Sequence, residues 1–207
     1  QVSFLGYTGT MGTDYIDYLI ADTTVIPRED VRHYAEKIAY LPDTYWPFDS
    51  RLGVAERQFT RQEVGLPEQG FVFCCFNNNW KITPEVFEIW MRLLGRIEGS
   101  VLWLVEDNPA AGRNLRTEAG KRGITADRLV FAPRMSPPEH LARQRLADLF
   151  LDTLPYNAGA TASDALWVGL PVLTRLGETF SGRMAASLLK AVGLPELITE
   201  SPEDYEA

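Results

Sequence analysis

The sequence predicts an α/β fold, a doubly wound parallel sheet with helices on both faces, and three observations carry that reading. Short apolar runs rich in β-branched and aromatic residues alternate with segments of helical period, and from about residue 70 onward they repeat as strand–helix units. A strong helix start, Thr83-Pro84-Glu85, follows one of these runs with a capping residue and a proline at the first helical position. Polar or small-residue turns follow three of the strands, at the edge where open parallel sheets take their ligands.

Taken in order, strands are expected at 1–6 (QVSFLG), 18–22 (YLIAD), 38–42 (IAYLP), 71–77 (FVFCCFN), 101–106 (VLWLVE), 129–133 (LVFAP), 149–153 (LFLDT) and 171–174 (PVLT). After Thr83, residues Val86, Ile89, Trp90, Leu93, Leu94 and Ile97 fall on one helical face, which a sheet can cover. Further helices fit 110–122, 137–147, 161–168 and 178–192. The stretch rich in proline and glycine between them reads as a connector. The chain therefore divides into 1–50, the end of one lobe; 51–69, the connector; and 70–207, most of a second lobe. Ser201-Pro202-Glu203-Asp204 is a helix start with no helix expected after it, and a fragment of a longer protein is anticipated.

Composition narrows the function. The 207 residues are 45% hydrophobic and 23% charged, ordinary for a globular protein. A formal charge of −8 without a basic cluster argues against nucleic acid or an anionic membrane as the main partner. Cys74 and Cys75 are adjacent in an apolar run and read as buried small hydrophobes. With no signal segment, and no run near the roughly 20 apolar residues of a spanning helix, a reducing, cytoplasmic setting is expected. No Gly-x-Gly-x-x-Gly turn, Walker loop, nucleophile elbow or zinc-ligand spacing occurs, so neither a dinucleotide cofactor nor a metal is expected.

Each of the three turns has two readings. Lys81, in Asn77-Asn78-Asn79-Trp80-Lys81, is either a solvated loop lysine or a cation placed beside a helix start to meet a phosphate. His140 and Arg143, three apart near a helix start, either lie on an ordinary amphipathic face or stack on a flat ring and reach its edge. Gly159-Ala160-Thr161 opens backbone N–H groups to an anion. Asp164 there is either the acid of a Thr161-x-x-Asp164 capping box or a carboxylate for ribose hydroxyls.

Longer stretches carry a resemblance. FNNNWKITPEVFEIWMRLL, SVLWLV, RLVFAPRMSPPEHLARQRLADLFLDTLPYNAGATASDALWVGLPVLT and GETFSGRMAASLL resemble the catalytic region of the O-linked N-acetylglucosamine transferases and their SPINDLY relatives. FLGYTGTMGTDYIDYLIAD and EKIAYLPDTYW resemble the end of that family's first catalytic lobe. The resemblance implies a GT-B type enzyme with two Rossmann-like lobes, a sugar nucleotide in the cleft, inversion at the sugar carbon and no catalytic metal. It implies transfer of N-acetylglucosamine from UDP-GlcNAc to Ser or Thr of proteins, with upstream tetratricopeptide repeats presenting the acceptor.

The resemblance also assigns residues. Lys81, with Asn78, would hold the diphosphate and neutralise the leaving UDP; Met135, Ser136 and Pro137 would border the nucleoside; His140 would stack on the uracil and Arg143 fix its edge. Gly159, Ala160 and Thr161 would bind the phosphates, and Asp164 the ribose. The acceptor's base is expected from the upstream lobe or a water chain. Many relatives have His-Thr-Thr where this chain has Gly159-Ala160-Thr161, a lysine at Pro137 and a proline at Thr8. Those departures keep two alternatives open: another donor such as GDP-fucose or UDP-glucose, and a non-catalytic nucleotide-sugar-binding module.

Overall fold

The computed structural model describes residues 1–207, arranged around two parallel sheets. The first has three short strands in sequence order, β1 (Val2–Ser3), β2 (Tyr18–Ala21) and β3 (Lys37–Tyr40). The second has six: β4 (Val72–Cys75), β5 (Val101–Val105), β6 (Leu129–Ala132), β7 (Leu149–Leu151), β8 (Val172–Arg175) and β9 (Ile198–Thr199). Its order is β6-β5-β4-β7-β8-β9, and every pair is parallel. The helices are α1 (Pro84–Arg96), α2 (Pro109–Lys121), α3 (Pro137–Gln144), α4 (Ala160–Trp167), α5 (Met184–Ala191) and α6 (Pro202–Glu206). None is long and apolar enough to cross a membrane.

The central strands are apolar on both faces, as a sheet covered on both sides requires: Val72, Cys74, Cys75, Leu102, Trp103 and Leu104 have no exposed surface. Both cysteines are free. The α1 stripe packs as expected, with Val86, Ile89, Trp90, Leu93 and Leu94 buried. Thr83 caps the helix by accepting from the Val86 N–H at 3.3 Å. Ile97 departs from the stripe, since the helix ends before it and leaves it 38% exposed.

A smaller core joins the two ends of the chain. Leu19, Ala21, Val25, Ile26 and Tyr45 pack against Phe180 and Met184. At its centre the buried Asp22 accepts from the Tyr45 N–H at 2.8 Å and from the Ser187 hydroxyl at 2.6 Å. This carboxylate ties the first sheet to α5, because burying it requires that its lone pairs be satisfied from both sides.

Three expectations need correction. The strand expected at 1–6 shrinks to Val2–Ser3, paired only at its start with Tyr18 and Leu19. The helix expected over 178–192 breaks into a short 3-10 turn, Phe180–Gly182, and α5. The break follows from a loop closed on itself: Gly177 N–H donates to Gly182 O at 2.7 Å, and a Cβ on Gly177 would lie 3.0 Å from the Gly182 backbone. Helix α6 does follow the Ser201 start. It is one short turn, yet it buries Tyr205, whose hydroxyl donates to Asp152 O at 2.8 Å and accepts from Trp90 Nε1 at 3.3 Å.

Candidate functional site

The order of the six-stranded sheet reverses between β4 and β7: β5 and β6 step to one side, β8 and β9 to the other. The crevice beyond the carboxyl ends of those two strands is where open α/β sheets take ligands. Here the segments following β4 and β7 are knitted together. The buried Asn77 donates through Nδ2 to Thr153 Oγ1 at 2.9 Å and to Asp152 Oδ1 at 3.3 Å, while its Oδ1 accepts from the Thr161 hydroxyl. Asp152, 2% exposed, also accepts from the N–H groups of Thr153 and Ala158 and from the Thr174 hydroxyl, each at 2.7 Å.

Lys81 closes a short 3-10 turn, Asn79–Lys81, just before the α1 cap. Its side chain turns back across the crevice, donates from Nζ to Asn157 O at 2.9 Å, and lies 4.2 Å from the centre of the Tyr156 ring. Burial lowers its pKa, against an opposing pull from the Asp152 carboxylate. Burial outweighs the hydrogen bonds at Asp152 and raises its pKa to about 6.

Beside this network lies a cavity of about 360 Å³, lined by Asn78, Met135, Pro137, His140, Arg143, Thr161 and Asp164, with Leu52, Phe76 and Arg134 among its other walls. Four of the expected residues stand outside it. Ser136 precedes α3 without capping it through its side chain, which donates to Glu139 Oε2 at 2.7 Å; Gly159 and Ala160 begin α4, and Lys81 reaches the loop just before them.

His140 and Arg143 hold each other. Arg143 Nε donates to His140 Nδ1 at 3.1 Å, and Arg143 Nη1 donates to Pro133 O at 2.7 Å. The first bond makes Nδ1 the unprotonated nitrogen of a neutral imidazole, so Nε2 carries the proton. Burial, then the Arg143 charge, lowers the His140 pKa to about 4, so the ring is neutral near pH 7. Phe76 meets it edge to face at 4.9 Å. Arg143 is only 1% exposed, and two of its three nitrogens are spent on internal bonds, leaving less of the guanidinium for an edge contact than its spacing suggested.

The capping-box reading of Asp164 is corrected by the helix boundary. Gly159 is the cap of α4, no side chain caps it, and Thr161 is already the second helical residue. The first-turn N–H groups therefore stay open, and Asp164 faces the cavity with burial as the cause that raises its pKa.

Sequence reasoning missed Asp152, Asn157, Tyr156 and Leu52. Asp152 had a readable signal, an acid ending the apolar strand LFL. The others had none, because Leu52 reaches the cavity from the connector and Asn157 and Tyr156 matter through Lys81. A larger cavity, about 660 Å³, lies between residues 7–10, the 3-10 helix Arg28–His33 and the 178–183 loop, with Thr8 and His33 in its walls.

Comparison with known proteins places this geometry. The family model for glycosyl transferase family 41 matches residues 1–55 and 55–207. The chain is 37% identical to the probable UDP-N-acetylglucosamine–peptide N-acetylglucosaminyltransferase SEC of Arabidopsis thaliana, over 100% of its own length and 22% of that protein. It is 30% identical to the probable UDP-N-acetylglucosamine–peptide N-acetylglucosaminyltransferase SPINDLY of the same plant, over 99% of its length and 22% of that protein. A solved O-GlcNAc transferase mutant from Thermobaculum terrenum superposes with a TM-score of 0.86 at 32% identity, covering 100% of this chain and 39% of that one. The chain thus spans about a fifth of the curated relatives it matches. With the family model matched along its whole length, the chain belongs to glycosyl transferase family 41.

Proposed function

We propose that this region holds a UDP-sugar in the switch-point crevice and, within the whole protein, serves transfer of N-acetylglucosamine from UDP-GlcNAc to Ser or Thr of a protein acceptor. The observation that carries the reading is two unlike ends adjoining at the switch point: His140 and Asp164 lining one cavity, and Lys81, next to it, reaching the loop before the uncapped start of α4. In this reading residues 1–50 end an N-terminal lobe, 51–69 connect, and 70–207 form the nucleotide-sugar lobe. Upstream tetratricopeptide repeats would present the acceptor. The two free buried cysteines suit a reducing, cytoplasmic setting.

The chemistry follows from the residues. Uracil lies against His140, between Met135, Ser136 and Pro137, with Arg143 holding the imidazole in place. Asp164 accepts from the ribose hydroxyls. Asn78, Lys81 and the N–H groups of Gly159, Ala160 and Thr161 face the diphosphate. As the bond from the sugar carbon to the diphosphate oxygen breaks, negative charge grows on UDP, and a lysine and a helix start already in place stabilise it without reorganising. That role calls for no metal. The acceptor hydroxyl oxygen bonds the sugar carbon from the opposite face, which inverts it, and its proton leaves to a base of the upstream lobe or to a water chain.

The test is transfer of labelled sugar to a Ser/Thr peptide by the full-length protein, offered UDP-GlcNAc, UDP-glucose and GDP-fucose in parallel. Transfer from UDP-GlcNAc is expected. Preference for GDP-fucose would remove the uracil assignment of His140, and tight UDP binding without transfer from any donor would leave a binding module.

A further inference from the structure

Gly159 is buried at the start of α4, and it is not alone there. A Cβ built on it would lie 3.1 Å from Cζ3 and 3.3 Å from Cη2 of Trp46, a residue of the segment leaving the first sheet. The indole edge therefore rests on the turn in the space a side chain at 159 would need. The backbone that carries the ring is held by groups independent of α4. The backbone N–H of Trp46 donates to Thr44 Oγ1 at 3.2 Å, Thr44 Oγ1 shares a 2.7 Å hydrogen bond with Ser187 Oγ, and Ser187 donates to the buried Asp22. Tyr45, its neighbour, donates its N–H to the same carboxylate and meets the indole edge to face at 5.9 Å. Trp46 packs against both hydrophobic cores of the chain.

We propose that Trp46 is a positioning residue for the proposed phosphate turn: a ring on a backbone anchored through Thr44, Ser187 and Asp22, packed against Tyr45, that sets the orientation of the open N–H groups at Gly159, Ala160 and Thr161. The inference rests on the UDP reading of the crevice and deepens it. Hydrogen bonds to a charged acceptor weaken steeply when the N–H direction tilts, so the wall behind a glycine turn matters as much as the turn. A residue larger than glycine at 159 must displace either the ring or the backbone by a few tenths of an ångström.

The experiment is calorimetry on the full-length protein with UDP and with uridine as separate probes. Trp46→Ala is expected to weaken UDP about tenfold, the size of one degraded charge-assisted hydrogen bond, and to leave uridine unchanged. Trp46→Phe, which keeps a ring on the turn, should retain UDP affinity within about twofold. Gly159→Ala should weaken UDP in the parent protein and have no further effect beside Trp46→Ala, since the atom it clashes with is gone. Unchanged UDP affinity in Trp46→Ala, equal losses for UDP and uridine, or two substitutions whose effects multiply would each overturn the proposal. If the unaltered protein binds UDP no tighter than uridine, the phosphate reading of the turn fails first and this inference with it.

Discussion

At the α3 end of the crevice, His140 and Arg143 come from a single helical turn and hydrogen-bond each other, so one short segment sets both their identity and their geometry. At the α4 end, Asn77, Lys81, Asp152, Asn157 and Thr161 come from separate segments and become a unit only when β4 and β7 pair. The α3 end is a preformed pair, a neutral imidazole held by a guanidinium; the α4 end is a balance of buried charge and open N–H groups. Local structure sets one end, and topology sets the other.

The sharpest way to break that contrast is Lys81→Ala. Removing the cation at the α4 end should lower turnover by about 10²-fold or more, the scale of losing one preorganised electrostatic group, and weaken UDP. Uridine should bind as before. Steady-state transfer and calorimetry in the full-length protein read both. Unchanged turnover would return Lys81 to an ordinary loop lysine.

Asp164 sits where the two ends meet, and Asp164→Asn is expected to cost UDP about tenfold, within the range for a hydrogen bond to a charged group. The loss should vanish for a UDP analogue lacking both ribose hydroxyls. A loss of equal size for that analogue would mean the carboxylate serves the fold instead.

The same contrast explains what the sequence could disclose. The alternation of apolar runs and helical segments foretold eight of the strands, because each is a local pattern, and β9 escaped because two residues, Ile198–Thr199, show no period. Helix α6 escaped because its single turn is stabilised by Tyr205 reaching Trp90 and Asp152, contacts 115 and 53 residues distant. His140, Arg143 and the Gly159-Ala160-Thr161 turn were visible as local motifs, and the family resemblance supplied the roles proposed for them. The partners of Asp152 and the Trp46 contact are visible only after folding, since they depend on which segments become neighbours.

At the α3 end, His140→Ala should weaken both UDP and uridine by about fivefold to tenfold, the usual range for one aromatic stacking partner. His140→Phe should recover most of it, because the ring and not a charge makes the contact. A selective loss for UDP over uridine would shift His140 toward the phosphates and blur the two ends.

The smallest expected signal lies in the pH dependence of stability, where the two ends oppose each other. Asp152 has its pKa raised from 3.8 to about 6, so the folded state keeps this proton longer than the unfolded chain does. Its contribution is fully present below the lower value and is lost as pH rises through the higher one. His140 has its pKa lowered from 6.5 to about 4, so its contribution is present above the higher value and is lost as pH falls through the lower. Between about pH 4 and 6 the two slopes have opposite sign, and the unaltered protein should show little net change from this pair. Asp152→Asn leaves the histidine unopposed, so stability should climb with pH across that window; His140→Phe leaves the aspartate unopposed, so stability should fall. Comparing urea midpoints for each protein at the two ends of the window isolates the slope from any fixed cost of the substitution. Parallel slopes in the two variants would mean that the crevice does not hold a protonated acid and a neutral imidazole at its opposite ends.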